Sequence, residues 1–249
     1  MKFQFPLQKG KWIKRYKRFM VDLTLPNGEE LTVHNANTGS MKNCYVEDGD
    51  AWYWDSKNEK RKYPNSLELL ETPSGHIACI NTSRPNYLVA EAIVNGTVKE
   101  LQDYNALKME VRYGNEKSRI DILLSGGEKD IYVEVKNTTL LETTKNGKVD
   151  PEGDSIDGIG FFPDSVSDRA SKHLRELMCM VDEGHRGVIF FCVNHTGIKE
   201  VRPADHIDPL YGRLLREAKN KGVEILAYKS KITDDDIILK DFIPVVLNK

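Results

Sequence analysis

Two short runs of the sequence hold residue types that can work together on a phosphate. Asp121 lies in Ser118-Arg119-Ile120-Asp121-Ile122-Leu123-Leu124, and Glu134 and Lys136 lie in Ile131-Tyr132-Val133-Glu134-Val135-Lys136, with Gly126-Gly127 between the runs. Both runs read as strands, and residues i and i+2 of a strand share a face. Glu134 and Lys136 then point one way while Val133 and Val135 enter the opposite layer. Paired as a hairpin, the runs bring Asp121 toward Glu134, so that two carboxylates and an ammonium surround one point. Such a place suits magnesium, or manganese in its stead: magnesium takes one or two carboxylates, keeps several waters and accepts phosphate oxygens. The metal would lower the pKa of a water and offset charge on a scissile phosphate. Lys136 could orient or deprotonate that water and stabilise the pentavalent phosphorus. Glu91, on the helix expected to open this half of the chain, is a candidate third carboxylate. The metal set is thus Asp121, Glu134 and Glu91, and Lys136 completes the catalytic set.

The plain alternative is a solvated strand face with a Glu-Lys ion pair worth little. The acid-x-Lys spacing occurs three times, as Asp55-Ser56-Lys57, Glu134-Val135-Lys136 and Glu217-Ala218-Lys219. In the last, a helix rotates the two side chains about 200° apart. Only the middle copy sits on an apolar strand with an acid on the strand before it.

The elements that must position these residues divide the chain in two. Phe19, Val21, Leu23 and Leu25 alternate with polar residues, Pro26-Asn27-Gly28 turns the chain, and Leu31-Thr32-Val33 returns, a hairpin pattern. Ala51–Trp54, Leu67–Leu70 and His76–Ile80 are further short strand candidates, and with no convincing helix among them they suggest a small β-barrel. After Arg84-Pro85 the period changes. Asn86–Val94, Ser165–Glu183 and Pro209–Lys221 read as helices, the last opened by Asp208 as N-cap. Lys108–Tyr113, Ser118–Leu124, Ile131–Thr138, Val188–Val193 and Val223–Tyr228 read as strands. A charged, flexible loop is expected from Glu142 to Gly160.

A length of 249 residues against about 150 per domain allows one large domain or two small ones. With 36 basic against 38 acidic residues the net charge is −2, which excludes a uniformly basic nucleic-acid coat but not a local basic surface. The charge is uneven: residues 1–82 hold twelve basic and ten acidic side chains, residues 83–249 hold 24 and 28, and seven basic residues precede the first acid, Asp22. That opening stretch reads as a basic arm interleaved with Phe3, Phe5, Trp12 and Tyr16. The longest apolar run, Val188–Val193, is six residues where a bilayer needs about 20. No membrane span is expected, and Met1–Trp12 lacks the apolar core of a secretory signal, which places the protein in the cytoplasm. Cys44, Cys79, Cys179 and Cys192 form no C-x-x-C pair and read as reduced and structural.

Beyond these patterns, the chain resembles the sugar fermentation stimulation protein A (SfsA) family nearly end to end. The resemblance rests on His34-Asn35-Ala36-Asn37-Thr38-Gly39-Ser40-Met41, Asn81-Thr82 with Pro85-Asn86, Ser118-Arg119-Ile120-Asp121, Tyr132-Val133-Glu134-Val135-Lys136-Asn137, Phe162-Pro163-Asp164, Lys172-His173-Leu174-Arg175-Glu176-Leu177 and Ile207-Asp208-Pro209. It implies an α+β two-domain fold, with an N-terminal OB-fold over 1–82 and a PD-(D/E)xK nuclease-like α/β domain over 83–249. Asp121, Glu134 and Lys136 then fall on the nuclease motif and Glu91 on the first helix. Ala36 stands where the family usually has proline, Ala170 where it has glycine, and the loop before Phe161 is longer than usual.

The resemblance implies nucleic acid as the partner: DNA, with RNA open. OB-folds stack bases on aromatics along a basic groove, and Trp12, Trp52, Tyr53 and Trp54 beside Lys11, Lys14, Arg15, Lys17 and Arg18 supply both ingredients, although some of these rings must fill the barrel. His34, Asn37 and Arg84 are polar candidates for a cleft between the domains. Lys172 and His173 match positions that in this fold often face substrate, while His173 reads equally as a partly buried helix residue beside Leu174 and Leu177. Two functions follow: a magnesium- or manganese-dependent nuclease hydrolysing phosphodiesters of DNA or RNA, or a non-catalytic, non-specific DNA-binding regulator of sugar (maltose) metabolism. A monomer or a homodimer paired through a sheet edge fits either.

Overall fold

Short, bulged strands separated by tight turns curl the first half of the chain into a barrel. The computed structural model describes residues 1–116, 118–142 and 158–248, and the backbone of 144–145 and 148–149. Six strands, β1 (Gln8–Tyr16), β2 (Met20–Thr24), β3 (Glu30–His34), β4 (Asp50–Asp55), β5 (Asn65–Glu71) and β6 (Ile77–Cys79), run in the order β3-β2-β1-β4-β5-β6. A parallel pairing of β3 with β5, at His34 and Ser66, closes the first five into an OB barrel. Register shifts at Trp12/Lys14 and Trp52/Tyr53 mark bulges, which bend strands enough to close a sheet. Trp12, Val21, Leu23, Val33, Tyr53, Leu67 and Leu70 fill the interior.

The second half is a three-layer α/β domain. Its elements are α1 (Pro85–Val94), a 3-10 turn at Lys99–Leu101, β7 (Ala106–Tyr113), β8 (Ser118–Ser125), β9 (Ile131–Thr138), β10 (Leu140–Leu141), β11 (Thr144–Lys145), β12 (Lys148–Val149) and β13 (Ile159–Phe162). These are followed by α2 (Asp168–Asp182), β14 (Arg186–Val193), β15 (Glu200–Pro203), α3 (Pro209–Lys221), β16 (Glu224–Ile232) and β17 (Ile237–Phe242). The main sheet runs β17-β16-β14-β9-β8-β7, with β9, β14 and β16 parallel and the outer pairings antiparallel. The continuous apolar run Val188–Val193 lies in β14, a strand covered on both faces, as such runs require. α1 covers one face, over Ile122, Val133, Val135 and Phe190; Leu174 of α2 and Tyr211 of α3 pack on the other with Ile120, Ile189 and Phe191. Side chains cap both long helices: Ser167 accepts from the Ala170 amide and Asp208 from the Tyr211 amide.

The β7–β8 hairpin changes faces halfway along. Leu107, Met109, Ile122 and Leu124 belong to the α1 layer, whereas Val111, Tyr113 and Ile120 belong to the α2 layer. The reversal falls at Glu110, whose backbone is left-handed with φ of 57° and which the register on either side sets opposite Asp121.

The two halves are bonded to each other at several points. The Cys79 amide donates to the Asn194 carbonyl (2.9 Å), the Thr196 amide to the Ile77 carbonyl (2.9 Å), and Ala78 forms an antiparallel bridge with His195. From the barrel, Ser40 Oγ donates to the Asp164 carbonyl (3.1 Å), Asn43 to the Leu141 carbonyl (3.1 Å), and the Lys42 ammonium meets Glu142 at 2.5 Å.

The sequence reading needs three corrections here. Its basic arm is no arm: residues 8–16 are β1, a central barrel strand between β2 and β4 whose lysines face out while Gly10 and Trp12 face in. The small β10-β13-β15 sheet was not foreseen, because runs of two to four residues carry too little periodicity to read, and the six-residue edge strand β17 was missed as well. Much of the loop expected from Glu142 to Gly160 lies outside the described residues, and its end is β13.

Candidate active site

β8 and β9 pair only from Ile122 opposite Val133 to Leu124 opposite Ile131. Beyond Ile122 the strands part, and the Asp121 side chain fills the gap: Oδ2 accepts from the Val135 amide at 2.7 Å, in place of a ladder bond. Oδ1 accepts from the Asn86 side chain (2.9 Å), which α1 delivers from its first turn and which also reaches Glu110 at 3.4 Å. On β9, Glu134 and Lys136 share a face as the alternation requires, and both are buried, at 2% and 8% exposure. Lys136 Nζ lies 2.7 Å from Glu134 Oε1. His173 of α2, also buried, presents Nδ1 to the same oxygen and lies 3.4 Å from the lysine nitrogen. The other oxygen, Glu134 Oε2, is buried with no hydrogen-bond partner.

The electrostatics separate the two acids. Burial, and then the Glu134 charge, push the Asp121 carboxyl up to about 6, against the pull of the Val135 amide and Lys136. Burial also opposes the charge of Glu134, yet Lys136 and His173 outweigh it and hold that carboxyl below its ordinary value. Glu134 is therefore a fixed anion and Asp121 an anion under stress, a condition that a cation between them would relieve. Among the described residues no three His, Cys, Asp or Glu side chains gather as a metal-ligating group. The donors present are two carboxylates, one of them with a free buried oxygen, and that set fits magnesium, which asks for no more than one or two from the protein.

Lys136 also lines a cavity of about 200 Å³ between the domains, with Asn37, Gly39 and Thr82 on one wall and Val135, Asn137, Phe162 and Asp164 on the other. The barrel thus supplies part of the site's enclosure. Asn37 lies on this wall, its Oδ1 accepting from the Gly39 amide at 2.8 Å and so shaping the loop.

Other candidates lie elsewhere. Glu91 is on the exposed side of α1, where its carboxylate pairs with the N-terminal ammonium at 2.8 Å; it does not join the cluster, and Asn86 is the residue of that helix that does. The Arg84 guanidinium is spent on Glu68, a fully buried carboxylate, at 2.6 and 3.2 Å. Trp12 is in the barrel core at 3% exposure, its face covered by Tyr45 at 4.4 Å, so it offers no stacking surface. Arg15 donates to the carbonyls of Arg18, Asn37 and Gly39 and so braces the same loop. Lys11 pairs with Asp50 (2.6 Å) and Lys14 approaches Asp22 (3.7 Å). Lys17 and Arg18 are exposed on a left-handed turn, beside exposed Phe19, whose ring lies 6.5 Å from that of half-buried His34. Lys172 donates to the Glu116 carbonyl at the tip of the β7–β8 hairpin. His173 belongs to the carboxylate cluster and not to an outer binding face.

Comparison with known proteins bears on this arrangement. The family model for the SfsA N-terminal OB domain matches residues 13–80, and that for the sugar fermentation stimulation protein RE domain matches residues 83–236. A sugar fermentation stimulation protein homolog of Saccharophagus degradans is 53% identical over 92% of each chain. The chain belongs to the SfsA family. A second SfsA homolog, from Teredinibacter turnerae, is 51% identical over 99% of this chain and all of its own. The structure of Pyrococcus furiosus SfsA in complex with Ca²⁺ superposes with a TM-score of 0.82 over 99% of this chain and 98% of that one, at 24% identity. The SfsA architecture, an OB domain followed by an α/β domain, thus extends over the whole chain.

Proposed function

We propose that this SfsA protein is a divalent-metal-dependent nuclease acting on DNA or RNA, with Asp121 and Glu134 as the metal-holding carboxylates. The observation that carries the reading is the buried Glu134, whose Oε2 has no partner beside an aspartate that burial and its neighbour's charge resist ionising. A buried anion left half-satisfied is costly, and a cation is the group that satisfies both carboxylates. The calcium bound by the Pyrococcus furiosus protein supports a hard, oxygen-seeking ion. Bound magnesium or manganese supplies Lewis acidity to the phosphate and a lowered pKa to water. The chain's own groups do the rest. The Val135 amide and Asn86 fix the Asp121 carboxylate, and Lys136 and His173 fix Glu134. The Lys136 ammonium lines the inter-domain cavity, where it can offset charge that develops on a phosphorane oxygen. The barrel loop at Asn37 and Gly39 forms one wall of that cavity.

A nucleic-acid partner agrees with the exposed Lys17, Arg18 and Phe19 of the barrel. We further place the protein in the cytoplasm: all four cysteines are free thiols. Among the described residues, no helix is long and apolar enough to cross a membrane. The second reading, a non-catalytic DNA-binding regulator of sugar metabolism, draws support from the position of Glu91, which leaves the cluster with two carboxylates and not three. Incubation with single- and double-stranded DNA and RNA, in Mg²⁺ or Mn²⁺ against EDTA, separates the two. The nuclease reading expects metal-dependent cleavage that Asp121→Ala and Glu134→Ala each reduce by at least 100-fold, roughly the size of losing a preorganised electrostatic group. Binding without cleavage in any metal overturns the nuclease and leaves the non-catalytic DNA-binding reading.

A further inference from the structure

Two arginines on the hairpin that carries Asp121, turned by their alternation with Val111, Tyr113 and Ile120 to the α1 side of the sheet, from which Asn86 reaches Asp121, have no task in the arrangement described above. Arg112 and Arg119 are register partners across the β7–β8 hairpin, each two residues from the reversal at Glu110 and Asp121, and both are exposed. Two residues of strand are about 7 Å. Directly opposed residues of an antiparallel pair have Cβ atoms about 5 Å apart, where like charges repel. Among the described residues neither guanidinium meets a carboxylate, whereas Arg84, Arg175, Arg186, Arg202 and Arg216 each do. Together with Tyr113 and Gly114 the pair lines a depression of about 660 Å³.

The hairpin that carries them is rigidly mounted. Glu176 of α2, 2% exposed, accepts from the amides of Asn115 (3.0 Å) and Glu116 (2.5 Å) at the hairpin tip. Gly114 makes room for it: a Cβ there would lie 2.0 Å from Glu176 Oε2. Lys172 and Arg175 hold Glu116 from the same helix. A self-repelling pair of cations, held on a firm support two residues along the hairpin from Asp121, is poised for a ligand with closely spaced negative charges.

We propose that Arg112 and Arg119 grip consecutive phosphodiester groups of the nucleic-acid strand next to the one at Asp121. This rests on the nuclease reading and adds to it the strand's path, from the barrel loop past Asp121 and onto the hairpin. The guanidinium fork matches phosphate geometry bidentately, and two such forks oppose the entropy of a flexible strand at the point where alignment matters.

The test is binding of fluorescently labelled DNA oligonucleotides, single-stranded and duplex, by the full chain in EDTA between 50 and 200 mM salt. Each phosphate contact contributes roughly 0.7–0.9 to the slope of log K against log salt. Arg112→Gln and Arg119→Gln should each lower the slope by that amount and weaken binding about 6-fold at 0.1 M salt, and the double variant about 30-fold. The double Lys variant should restore most of the slope. The thermal midpoint of the Gln variants should stay or rise, since a like-charge pair is removed. Wild-type binding with an unchanged slope in the double Gln variant overturns the grip and leaves the nuclease reading intact. A fall of several degrees in the midpoint overturns it too, by making the pair structural. Absence of binding by the wild type overturns the grip, and the cleavage assay in Mg²⁺ or Mn²⁺ then decides the nuclease reading separately.

Discussion

Asp121 is held where its charge is unwelcome, and that has a thermodynamic signature. With its folded pKa near 6 above an unfolded value of about 3.9, the neutral form is favoured by folding. The stability gained by protonation is complete below about pH 4 and is lost as pH rises through 6. In metal-free buffer, Asp121→Asn should therefore be more stable than wild type by about 3 kcal/mol at pH 8, with the gap closing by pH 4; urea unfolding at the two pH values measures it, and equal stability at both would refute the burial argument. Opposite Asp121, Glu110 holds a left-handed backbone at φ of 57°, which costs a non-glycine residue of order 1 kcal/mol. Glu110→Gly should recover about that much by thermal denaturation. The residue scale is also where the sequence was most and least readable. Glu134, Lys136 and Asp121 announced themselves because a charged pair alternating with valines has a period of two. Glu91 misled because the phase of a ten-residue helix is set by what packs on it: Asn86 and Glu91 are five residues apart, about 140° around the axis, so only one of them can face Asp121.

At the scale of elements, the β7–β8 hairpin and α2 form one unit, joined by the buried Glu176. Glu176→Ala leaves the Asn115 and Glu116 amides without their acceptor and should cost about 2–4 kcal/mol in urea unfolding, with a larger loss if the hairpin tip frays. Gly114→Ala should be comparably harmful, since φ there is 69° and the added Cβ meets Glu176. Helices α1, α2 and α3 were legible to within three residues at either end because their caps and apolar faces are local signals. Strand β1 was not, although Gly10 and Trp12 alternate inward. Its outward lysines neutralise Asp50 and Asp22 from neighbouring strands, and a charge that is paired across a sheet looks unpaired in one dimension. His173 likewise could be read as a helix core residue or as a site residue until the strand beneath it was in place.

For the whole molecule, the junction of the domains is a stability element more than a binding one. The Glu68 carboxylate, fully buried, takes Arg84 along with the Asn81 and Trp54 side chains. Arg84→Ala strips a buried anion of its charge partner and should cost about 3–5 kcal/mol, measured by denaturant titration. The division into two domains was legible from the change of period and charge after residue 82. Their mutual bonding was not, since it joins Ser40, Asn43 and Lys42 to partners about a hundred residues away. The same bonding fixes a length. A hydrogen-bonded path runs from barrel strand β5 through β6 to Asn194, just past the end of β14, and β14 lies beside the strand that carries Glu134. The barrel surface and the carboxylates are thereby two marks on one stiff ruler. On the nuclease reading proposed above, a strand end held at the first mark would be cut at a fixed distance from it, and a sequencing gel of an end-anchored substrate should then show a sharp band and not a ladder.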